Sequence, residues 1–279
     1  MVGLLELLGP RGLDAKARAK LVRHQDKRYD VHRLLKLGQF ETYQGFQAKP
    51  VFDCDWVVAF IGHGGRYARL IGVYRVLDRE PPGSRTLPPD FLYPDMKVSA
   101  SFYYNLERDE HFDDLASRVV IEWGASARAW HQRLCDKEVV EILPRGYVRD
   151  FPGYLDFILD YDELVTIVTH PMANREWHRM LGGVAGVYII SDRATGNQYV
   201  GSAAGSQGLL GRWATYARVP HGGNRQLRAL IDRDPAYAKN FSFSILRTLE
   251  KTLTRQEVFA YEVLLKRKLG TRAFGLNSN

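Results

Sequence analysis

A single carboxylate interrupts the apolar stripe of the last amphipathic segment of the chain. In TRQEVFAYEVLLKRKLG, residues 254–270, Glu262 shares one helical face with Val258, Leu265 and Leu269. Burying an unpaired carboxylate costs several kcal/mol, so Glu262 must either meet a cation or open into a cleft at the edge of the core. The pattern therefore predicts either a metal ligand or a core-edge Glu paired with an arginine.

Three tyrosines and an arginine form a second group of residues that could do chemistry. Tyr188 ends the tripeptide GVY and Tyr199 begins the tripeptide YVG, on the two sides of a turn. Arg212 and Tyr216 are four residues apart, so they share one face of the helix predicted behind this turn. A guanidinium beside a phenol can clamp a phosphate, although it is also a common surface pair.

Taken in order, these motifs resemble those of the GIY-YIG nuclease family. The resemblance covers residues 184–279, about a third of the chain, with valine in place of isoleucine in both tripeptides. It implies one acidic ligand, Glu262, for Mg²⁺ or Mn²⁺, and it implies that Asn277 helps to hold the phosphate. His221, in HGGN, matches no position common to the whole family and is a further candidate. The catalytic residues expected on this basis are Tyr188, Tyr199, Arg212, Tyr216, His221, Glu262 and Asn277.

Hydrolysis of a phosphodiester requires a deprotonated water, neutralised phosphoryl oxygens and a stabilised leaving oxygen. Either Tyr188 or Tyr199 could accept the proton of the water, but an ordinary tyrosine has a pKa of about 10. Lowering that pKa to about 7 requires roughly 4 kcal/mol, which we expect the cation and Arg212 to supply together. Gly186 and Gly201 either allow a nucleic-acid backbone to approach the strands or relieve a bulge in the hairpin.

The segment that contains these motifs predicts the element order β-β-α-α-β-α. The two tripeptides lie on a hairpin, two short helices follow, and FSFSILRTL, residues 241–249, alternates apolar and polar residues like a half-buried strand. In the last helix, Thr254 and Glu257 have the spacing of a capping box, and Gly270 is the expected stop. The predicted fold class is α+β, with a small antiparallel sheet flanked by helices.

The remainder of the chain predicts a separate module that is mostly β-structure after a helical start. Residues 1–50, including LDAKARAKLVRHQ, have the apolar spacing of helices, and residues 55–78 indicate a β-hairpin. Residues 151–171 have the pattern of a closing helix and connector. We therefore expect a recognition module over residues 1–175 and a nuclease domain over residues 176–279.

The hairpin WVVAFIGHGGRYARLIGVYRV faintly resembles PUA-like readers of modified bases, such as the EVE group. That resemblance implies an aromatic cage for a base, with ordinary core packing as the alternative. The aromatic residues expected to form such a cage are Trp56, Trp123, Trp130 and Tyr104. The basic residues that could provide contacts to the nucleic-acid backbone are Arg18, Lys20, Arg23, Lys27 and Arg28.

The charge distribution favours a polyanionic partner. Residues 181–279 hold 14 Lys and Arg against 6 Asp and Glu, a net +8, and residues 1–50 hold 10 against 5, a net +5. Residues 51–180 hold 15 against 21, a net −6. The sequence predicts no membrane span and no secretory signal, so we expect a cytoplasmic location. The two cysteines lack the spacing of a zinc site or a disulfide framework.

The sequence as a whole predicts a Mg²⁺-dependent DNA endonuclease that hydrolyses phosphodiester bonds. The expected substrate is double-stranded DNA, plain or modified, in restriction or in defence against foreign DNA. A repair or recombination nuclease acting on branched or single-stranded DNA is the second enzymatic hypothesis. A binding protein that keeps the fold without turnover is the third. The oligomeric state stays open, with a dimer among the options.

Overall fold

The computed structural model describes residues 2–124 and 129–277. The chain divides into two compact units, Met1–Leu143 and Pro144–Asn279. This division lies about thirty residues before the functional boundary expected at residues 175 and 176, because the segment that follows Pro144 packs within the second unit. Both units combine helices and sheet, so the predicted α+β fold class is confirmed. No helix of the described ranges is long and apolar enough to cross a membrane.

The first unit is built on an eight-stranded sheet with short helices around it. Its strands are β1 Ala19–His24, β2 Phe46–Gln47, β3 Trp56–Gly62, β4 Tyr67–Glu80, β5 Phe102–Arg108, β6 Val119–Glu122, β7 His131–Arg133 and β8 Val139–Ile142. Its helices are α1 Leu4–Leu8, α2 Val31–Lys36, α3 Phe40–Gly45 and α4 Met96–Ser99. The path β2-β5-β4-β3-β1-β7 runs across the sheet, and β6 pairs with β4 and β8.

The predicted helix over LDAKARAKLVRHQ is wrong throughout, because residues 13–18 form turns and loop and Ala19–His24 form the strand β1. This strand pairs in parallel with β3, from Ala19 opposite Trp56 to His24 opposite Ile61. Leu21 and Val22 are both fully buried, and they belong to two different apolar clusters. Because neighbouring side chains of a strand point to opposite faces, both faces of the sheet are covered at this position. The hairpin predicted over residues 55–78 is confirmed as β3 and β4.

The second unit is a four-stranded antiparallel sheet between two layers of helices. Its strands are β9 Leu159–Asp160, β10 Ala185–Asp192, β11 Gln198–Ala203 and β12 Phe241–Leu249, in the order β11-β10-β12-β9. Its helices are α5 Tyr161–Thr169, α6 Arg175–Gly183, α7 Gly208–Arg218, α8 Arg225–Arg233, α9 Arg255–Leu269 and α10 Thr271–Phe274. From β10 to α9 the order β-β-α-α-β-α agrees with the prediction.

The ends of α9 follow directly from local sequence. The side chain of Thr254 accepts a hydrogen bond from the backbone of Glu257, and the Glu257 carboxylate accepts one from the backbone of Thr254, which completes the predicted capping box. Gly270 ends the helix in a left-handed conformation with φ of 64°, which a residue with a Cβ adopts only at a cost. These two signals fix the position of Glu262 along the helix.

Candidate functional site

Two phenols and a guanidinium form a hydrogen-bonded cluster between β10 and α7. The Nε–H of Arg212 donates to the Tyr188 hydroxyl at 3.1 Å, and the Nη2 of Arg212 donates to the Tyr216 hydroxyl, also at 3.1 Å. The two phenol oxygens lie 3.2 Å apart and share a hydrogen bond. The guanidinium carbon of Arg212 also lies 4.8 Å from the ring centre of Tyr216. The structure thus brings together three of the residues that the sequence singled out.

Backbone geometry creates the space for this cluster. Tyr188 lies directly opposite Gly201 on β11, and a Cβ at Gly201 would come within 2.5 Å of the Tyr188 hydroxyl. The strand register of β10 against β12 shifts between Val187 and Tyr188, next to Gly186. The irregularity near Gly186 thus lies between β10 and β12, whereas the β10–β11 hairpin has a regular register. Gly201 lacks a side chain because the Tyr188 phenol passes over it.

Burial controls the protonation of both phenols. Tyr188 and Tyr216 are fully buried, and burial raises the pKa of each hydroxyl well above its ordinary value. Burial alone lowers the pKa of Arg212, but the two phenol oxygens beside it offset that effect, so its pKa lies above the ordinary value. The cluster is therefore a charged guanidinium held by two neutral phenols. Burial acts against the lowered pKa expected for a catalytic Tyr188, and that catalytic role stays a prediction.

Arg212 carries a positive charge that no carboxylate of the described residues neutralises. Its two hydrogen bonds to side chains go to uncharged phenols, and within residues 2–124 and 129–277 no Asp or Glu forms an ion pair with it. A guanidinium has five N–H donors, so several are left for a further acceptor. A half-buried cation of this kind favours an anionic ligand, and the planar fork of arginine matches phosphate.

Tyr199 lies on the same face of the sheet as Tyr188. It is directly opposite Ile190, which is two residues beyond Tyr188 along β10, and the side-chain period of a strand is two. Unlike Tyr188, Tyr199 is half-buried and retains contact with solvent. Of the two tyrosines that the sequence offered as a proton acceptor, Tyr199 is therefore the one that water reaches.

Glu262 belongs to a different polar group, on β11 and α9. Its Oε1 forms an ion pair with the ammonium of Lys266 at 2.7 Å, and its Oε2 accepts a hydrogen bond from the Ser202 hydroxyl. Glu262 is 8 % exposed and Lys266 is 2 % exposed, so the pair is almost fully removed from water. Of the two sequence-based alternatives, a carboxylate that meets a cation is found, although the cation is a lysine and not an arginine.

The Glu262 group lies on the opposite face of the sheet from the Arg212 group. Tyr188 packs in the apolar cluster that contains side chains of α7, whereas Val187 packs in the cluster that contains a side chain of α9. Ser202 lies directly opposite Val187, so Ser202 and the carboxylate it holds are on the α9 face.

The two groups are neighbours along β11 without a direct contact. Ser202 holds Glu262, and the adjacent Gly201 makes room for Tyr188, on a strand at the edge of the sheet. In the part of the chain that the structure describes, no hydrogen bond or ion pair joins Glu262 to Arg212. A phosphate that engages both groups must therefore lie across this edge strand.

The oxygen atoms of Glu262 and Ser202 are of the type that binds Mg²⁺ or Mn²⁺. Mg²⁺ takes oxygen ligands, keeps several waters and commonly binds to one or two carboxylates together with substrate phosphates. The Glu262 carboxylate and the Ser202 hydroxyl supply oxygens, while the Lys266 ammonium occupies Oε1. The described residues contain no group of three or more His, Cys, Asp and Glu that could hold a metal. An ion at this position would therefore depend on water and phosphate for most of its ligands.

His221 lies in the turn that packs on the Tyr216 ring. Its Nδ1 accepts a hydrogen bond from the backbone of Gly223 at 3.0 Å, which leaves Nε2 to carry the proton of the neutral ring. At Gly222, with φ of 52°, a Cβ would approach the Tyr216 ring to 2.3 Å. The glycines of HGGN therefore allow the backbone of this turn to approach the Tyr216 ring. The half-buried His221 lies one residue before that contact.

Asn277 is hydrogen-bonded to the backbone of the edge strand β11. Its Oδ1 accepts from the backbone N–H of Val200 at 2.9 Å, and its Nδ2 donates to the carbonyl of the same residue at 2.8 Å. Asn277 is 2 % exposed. These bonds satisfy the outer edge of β11 between Tyr199 and Gly201. The contacts of Asn277 are thus with the strand that carries the site, and a role in holding phosphate stays a prediction.

Ser202 and Lys266 are the two polar neighbours of the site that sequence reasoning missed. Lys266 follows Glu262 by four residues, which is the spacing of a helical ion pair and a signal that could have identified it. Ser202 had no comparable signal, because its role depends on the register of β11 and on how α9 packs.

Three of the four residues named as candidates for an aromatic cage pack within or against the core of the first unit. Trp123 is fully buried and Tyr104 is 2 % exposed, each within an apolar cluster, and Trp56 packs against the cluster that contains Trp123. Arg75 lies over the ring of Trp56 at 4.7 Å. Trp130, in contrast, lines a cavity of the first unit. The three others follow the core-packing alternative.

The basic residues between Arg18 and Arg28 have mixed surroundings. Arg18 forms ion pairs with two aspartates, and Lys20 donates to a backbone carbonyl. Arg23 is 1 % exposed and lies over the ring of Trp123 at 5.2 Å. Lys27 and Arg28 are exposed. Arg23 is therefore removed from the surface, and a contact to a nucleic-acid backbone by the rest stays a prediction.

Comparisons with known proteins give a limited result. No family model matches the chain, and no curated protein matches it. Among solved structures, the chain is similar to a mutant of the catalytic domain of intron endonuclease I-TevI, with 18 % identity and a TM-score of 0.29. The similarity covers 34 % of this chain and 94 % of that chain. None of these comparisons supports the PUA-like resemblance of the first unit.

Proposed function

We propose that this protein is a divalent-metal-dependent DNA endonuclease, with its site around β11 in the second unit. The observation that carries the proposal is the Arg212 cluster, a guanidinium without a carboxylate partner in the described ranges and with two neutral phenols beside it. Such a cluster suits a phosphodiester, because it offers directed donors and one positive charge in a site sheltered from water. The GVY and YVG motifs support the same function.

In this proposal, Arg212 binds the non-bridging phosphoryl oxygens and takes up the charge that grows on them during hydrolysis. Tyr188 and Tyr216 hold the guanidinium in one orientation, so little rearrangement is needed when the substrate binds. The neutral phenols also keep the site free of negative charge. We assign these two tyrosines to positioning, since burial keeps both hydroxyls protonated.

The proton of the attacking water goes to Tyr199 or His221 in this proposal. Tyr199 is half-buried on the same face as the cluster, and His221 lies in the turn that packs on Tyr216. Either group must lie within hydrogen-bond reach of the water when the substrate is bound. Separate replacement of each distinguishes the two assignments.

Glu262 and the Ser202 hydroxyl would hold the Mg²⁺ or Mn²⁺ ion. When bound, such an ion polarises the phosphate and stabilises the leaving oxygen. The Lys266 ammonium fixes the carboxylate in place, so the ion must share Glu262 with it. Asn277 anchors β11 at this point through its two hydrogen bonds to the backbone of Val200.

The ion pair of Glu262 with Lys266 favours one alternative function. A carboxylate neutralised by a lysine is also what a DNA-binding protein without turnover would contain. Arg212 would then bind a phosphate without hydrolysis. We place the enzyme first, because Ser202 and the water-accessible Tyr199 have no evident use in a simple binding module.

The substrate in this proposal is double-stranded DNA, plain or modified, and the setting is restriction or defence in the cytoplasm. The basic excess of residues 181–279 supports a polyanion as partner, because each phosphate contact releases counterions. A preference for branched or single-stranded DNA would indicate repair or recombination instead.

The proposal is tested by incubating the full chain with plain duplex, cytosine-modified duplex, branched and single-stranded DNA. Each reaction contains Mg²⁺, Mn²⁺ or a chelator, and DNA binding is measured in parallel. We expect cleavage with a metal ion and none with the chelator, and we expect Glu262→Ala to bind DNA without cutting it. Binding without cleavage under every condition would establish the non-enzymatic alternative, and cleavage by Glu262→Ala would contradict the metal assignment.

A further inference from the structure

The first unit contains a cavity of about 480 Å³ that the nuclease chemistry does not use. Its walls include the rings of Tyr29, Tyr43, Phe46 and Trp130, and polar side chains of β1 and α3 lie at its floor. The volume lies within the range of small-molecule sites, which are mainly apolar with a few directed polar groups. The cavity thus has the size and the composition of a ligand site.

The floor of the cavity carries a polar group without a partner. Gln44 is fully buried and lines the cavity, and its Oε1 lies 2.9 Å from the Nε2 of the buried His24. Burial lowers the pKa of His24 to about 4, so the ring is neutral and donates from Nε2. The Nε2 of Gln44 has no hydrogen-bond partner within the described residues. Buried donors are normally satisfied, so this amide lacks the acceptor that a ligand would bring.

The surroundings of Gln44 favour a flat ring that carries hydrogen-bond acceptors. The aromatic walls suit a planar ring, since Tyr29 and Tyr43 meet edge to face with centres 5.3 Å apart and Trp130 is 36 % exposed at the rim. At the mouth, Arg28 donates to both carboxylate oxygens of Asp26, which neutralises that pair. Arg23 also lines the cavity, and its guanidinium adds N–H donors that match acceptors on a ring or on a phosphate attached to it.

We propose that this cavity binds one nucleobase, with a carbonyl oxygen of the base toward the amide of Gln44 and with the ring against Trp130. The source of the base is either a free nucleotide or a base extruded from DNA. Extrusion deepens the proposed function and rests on it, because it makes the first unit the part that selects the substrate. Extruded bases are commonly recognised by hydrogen bonds to their edges and by aromatic stacking.

The test uses the full chain in a chelator, so that binding is measured without cleavage. Calorimetry with dCMP, dTMP, dGMP and dAMP detects free nucleotides, and a duplex with 2-aminopurine beside a central mismatch reports extrusion through a rise in fluorescence. The variants are Trp130→Ala and Gln44→Met, which removes the amide at similar length. Tyr67→Ala is the control, because Tyr67 is exposed and lies outside the cavity.

We expect nucleotides with a carbonyl-bearing base, or the mismatched duplex, to bind, and we expect Trp130→Ala and Gln44→Met to weaken binding about tenfold. Tyr67→Ala should bind like the parent. A response to nucleotides alone would identify free nucleotides as the source, and a fluorescence rise would identify DNA. Binding equal in all variants, or no response to any probe, would overturn the proposal.

Since Trp130 is exposed at the rim, Trp130→Ala keeps the test valid even if Gln44→Met unfolds. The outcome is also independent of the nuclease proposal. Metal-dependent cleavage without base binding would reject the nucleobase proposal and support the nuclease proposal. Base binding without cleavage would support the nucleobase proposal and reject the nuclease proposal.

Discussion

The Nε–H of Arg212 donates to the hydroxyl of Tyr188 across the gap between α7 and β10, at 3.1 Å. This bond links the helix behind the hairpin to the first tripeptide motif. It depends on Gly201, since a side chain there would collide with the same hydroxyl. The relationship explains why a tyrosine and a glycine face each other on neighbouring strands, and it fixes the direction in which the arginine points.

Replacing Tyr188 by Phe should reduce both stability and activity. The change leaves the Arg212 Nε–H and the Tyr216 hydroxyl without their buried partner, which costs about 1–3 kcal/mol. Urea unfolding measures the first effect, and initial rates of DNA cleavage measure the second. The control is Tyr154→Phe, which removes a hydrogen bond to the carbonyl of Met180 in the same unit. A Tyr188→Phe protein with full activity would show that the orientation of Arg212 does not matter.

Replacing Gly201 by Ala should disturb the site from the strand side. The added Cβ would lie 2.5 Å from the Tyr188 hydroxyl and 2.9 Å from the Tyr199 ring, and overpacking of this kind costs about 1–3 kcal/mol. Thermal unfolding and cleavage rates check this. Gly183→Ala is the matched control, because a Cβ there meets no atom within 4 Å. Equal behaviour of the two alanine variants would contradict the packing described for β10 and β11.

The stability of the first unit should fall as the pH drops from 7 to 4. The pKa of buried His24 is lowered to about 4, whereas an unfolded histidine has a pKa of about 6.5, so only the unfolded chain takes up the proton in this window. The expected loss is about 3 kcal/mol, present in full above pH 6.5 and removed progressively below it. Amide hydrogen exchange on peptides from β1 measures it. His24→Gln should show a flatter pH dependence, and an unchanged slope would reject the assignment.

Replacing Glu262 by Gln should abolish metal-dependent cleavage and also destabilise the fold. The change leaves the buried Lys266 ammonium without its carboxylate, which costs about 3–5 kcal/mol. Combining Glu262→Gln with Lys266→Met should recover much of the stability without recovering cleavage, because the buried ammonium is gone but the metal ligand is still missing. Denaturant unfolding and plasmid cleavage separate the two effects. Cleavage restored by the double variant would show that Glu262 has only a structural role.

Local signals in the sequence were sufficient for the ends and shared faces of the helices that follow the hairpin of the second unit. The spacing of Thr254 and Glu257 predicted the start of α9, and the spacing of Arg212 and Tyr216 predicted a shared face on α7. These features depend on neighbours within one or two helical turns, so they are visible without knowledge of the tertiary fold. The contact of Glu262 with Ser202 depends on the register of β11 and on how α9 packs on the sheet, and no local pattern specifies either.

The first unit was less predictable, because its strand β1 forms only by pairing with residues that are distant in the chain. The segment Ala19–His24 mixes apolar and basic residues at a spacing that also fits a helix. It forms a strand because it pairs in parallel with Trp56–Gly62. The unpartnered amide of Gln44 had no sequence signal either, since a glutamine in a polar, aromatic segment is unremarkable until burial is known. In both cases tertiary packing overrides local preference.

The most direct test of the central claim is the rate of phosphodiester cleavage by Arg212→Ala under single-turnover conditions, with excess protein and Mg²⁺. Arg218→Ala is the control, because Arg218 is an exposed arginine at the end of the same helix. If Arg212 neutralises the phosphoryl group, its loss should slow cleavage at least about 100-fold, while Arg218→Ala cuts at the parent rate. Equal cleavage by the parent protein and Arg212→Ala would contradict the account.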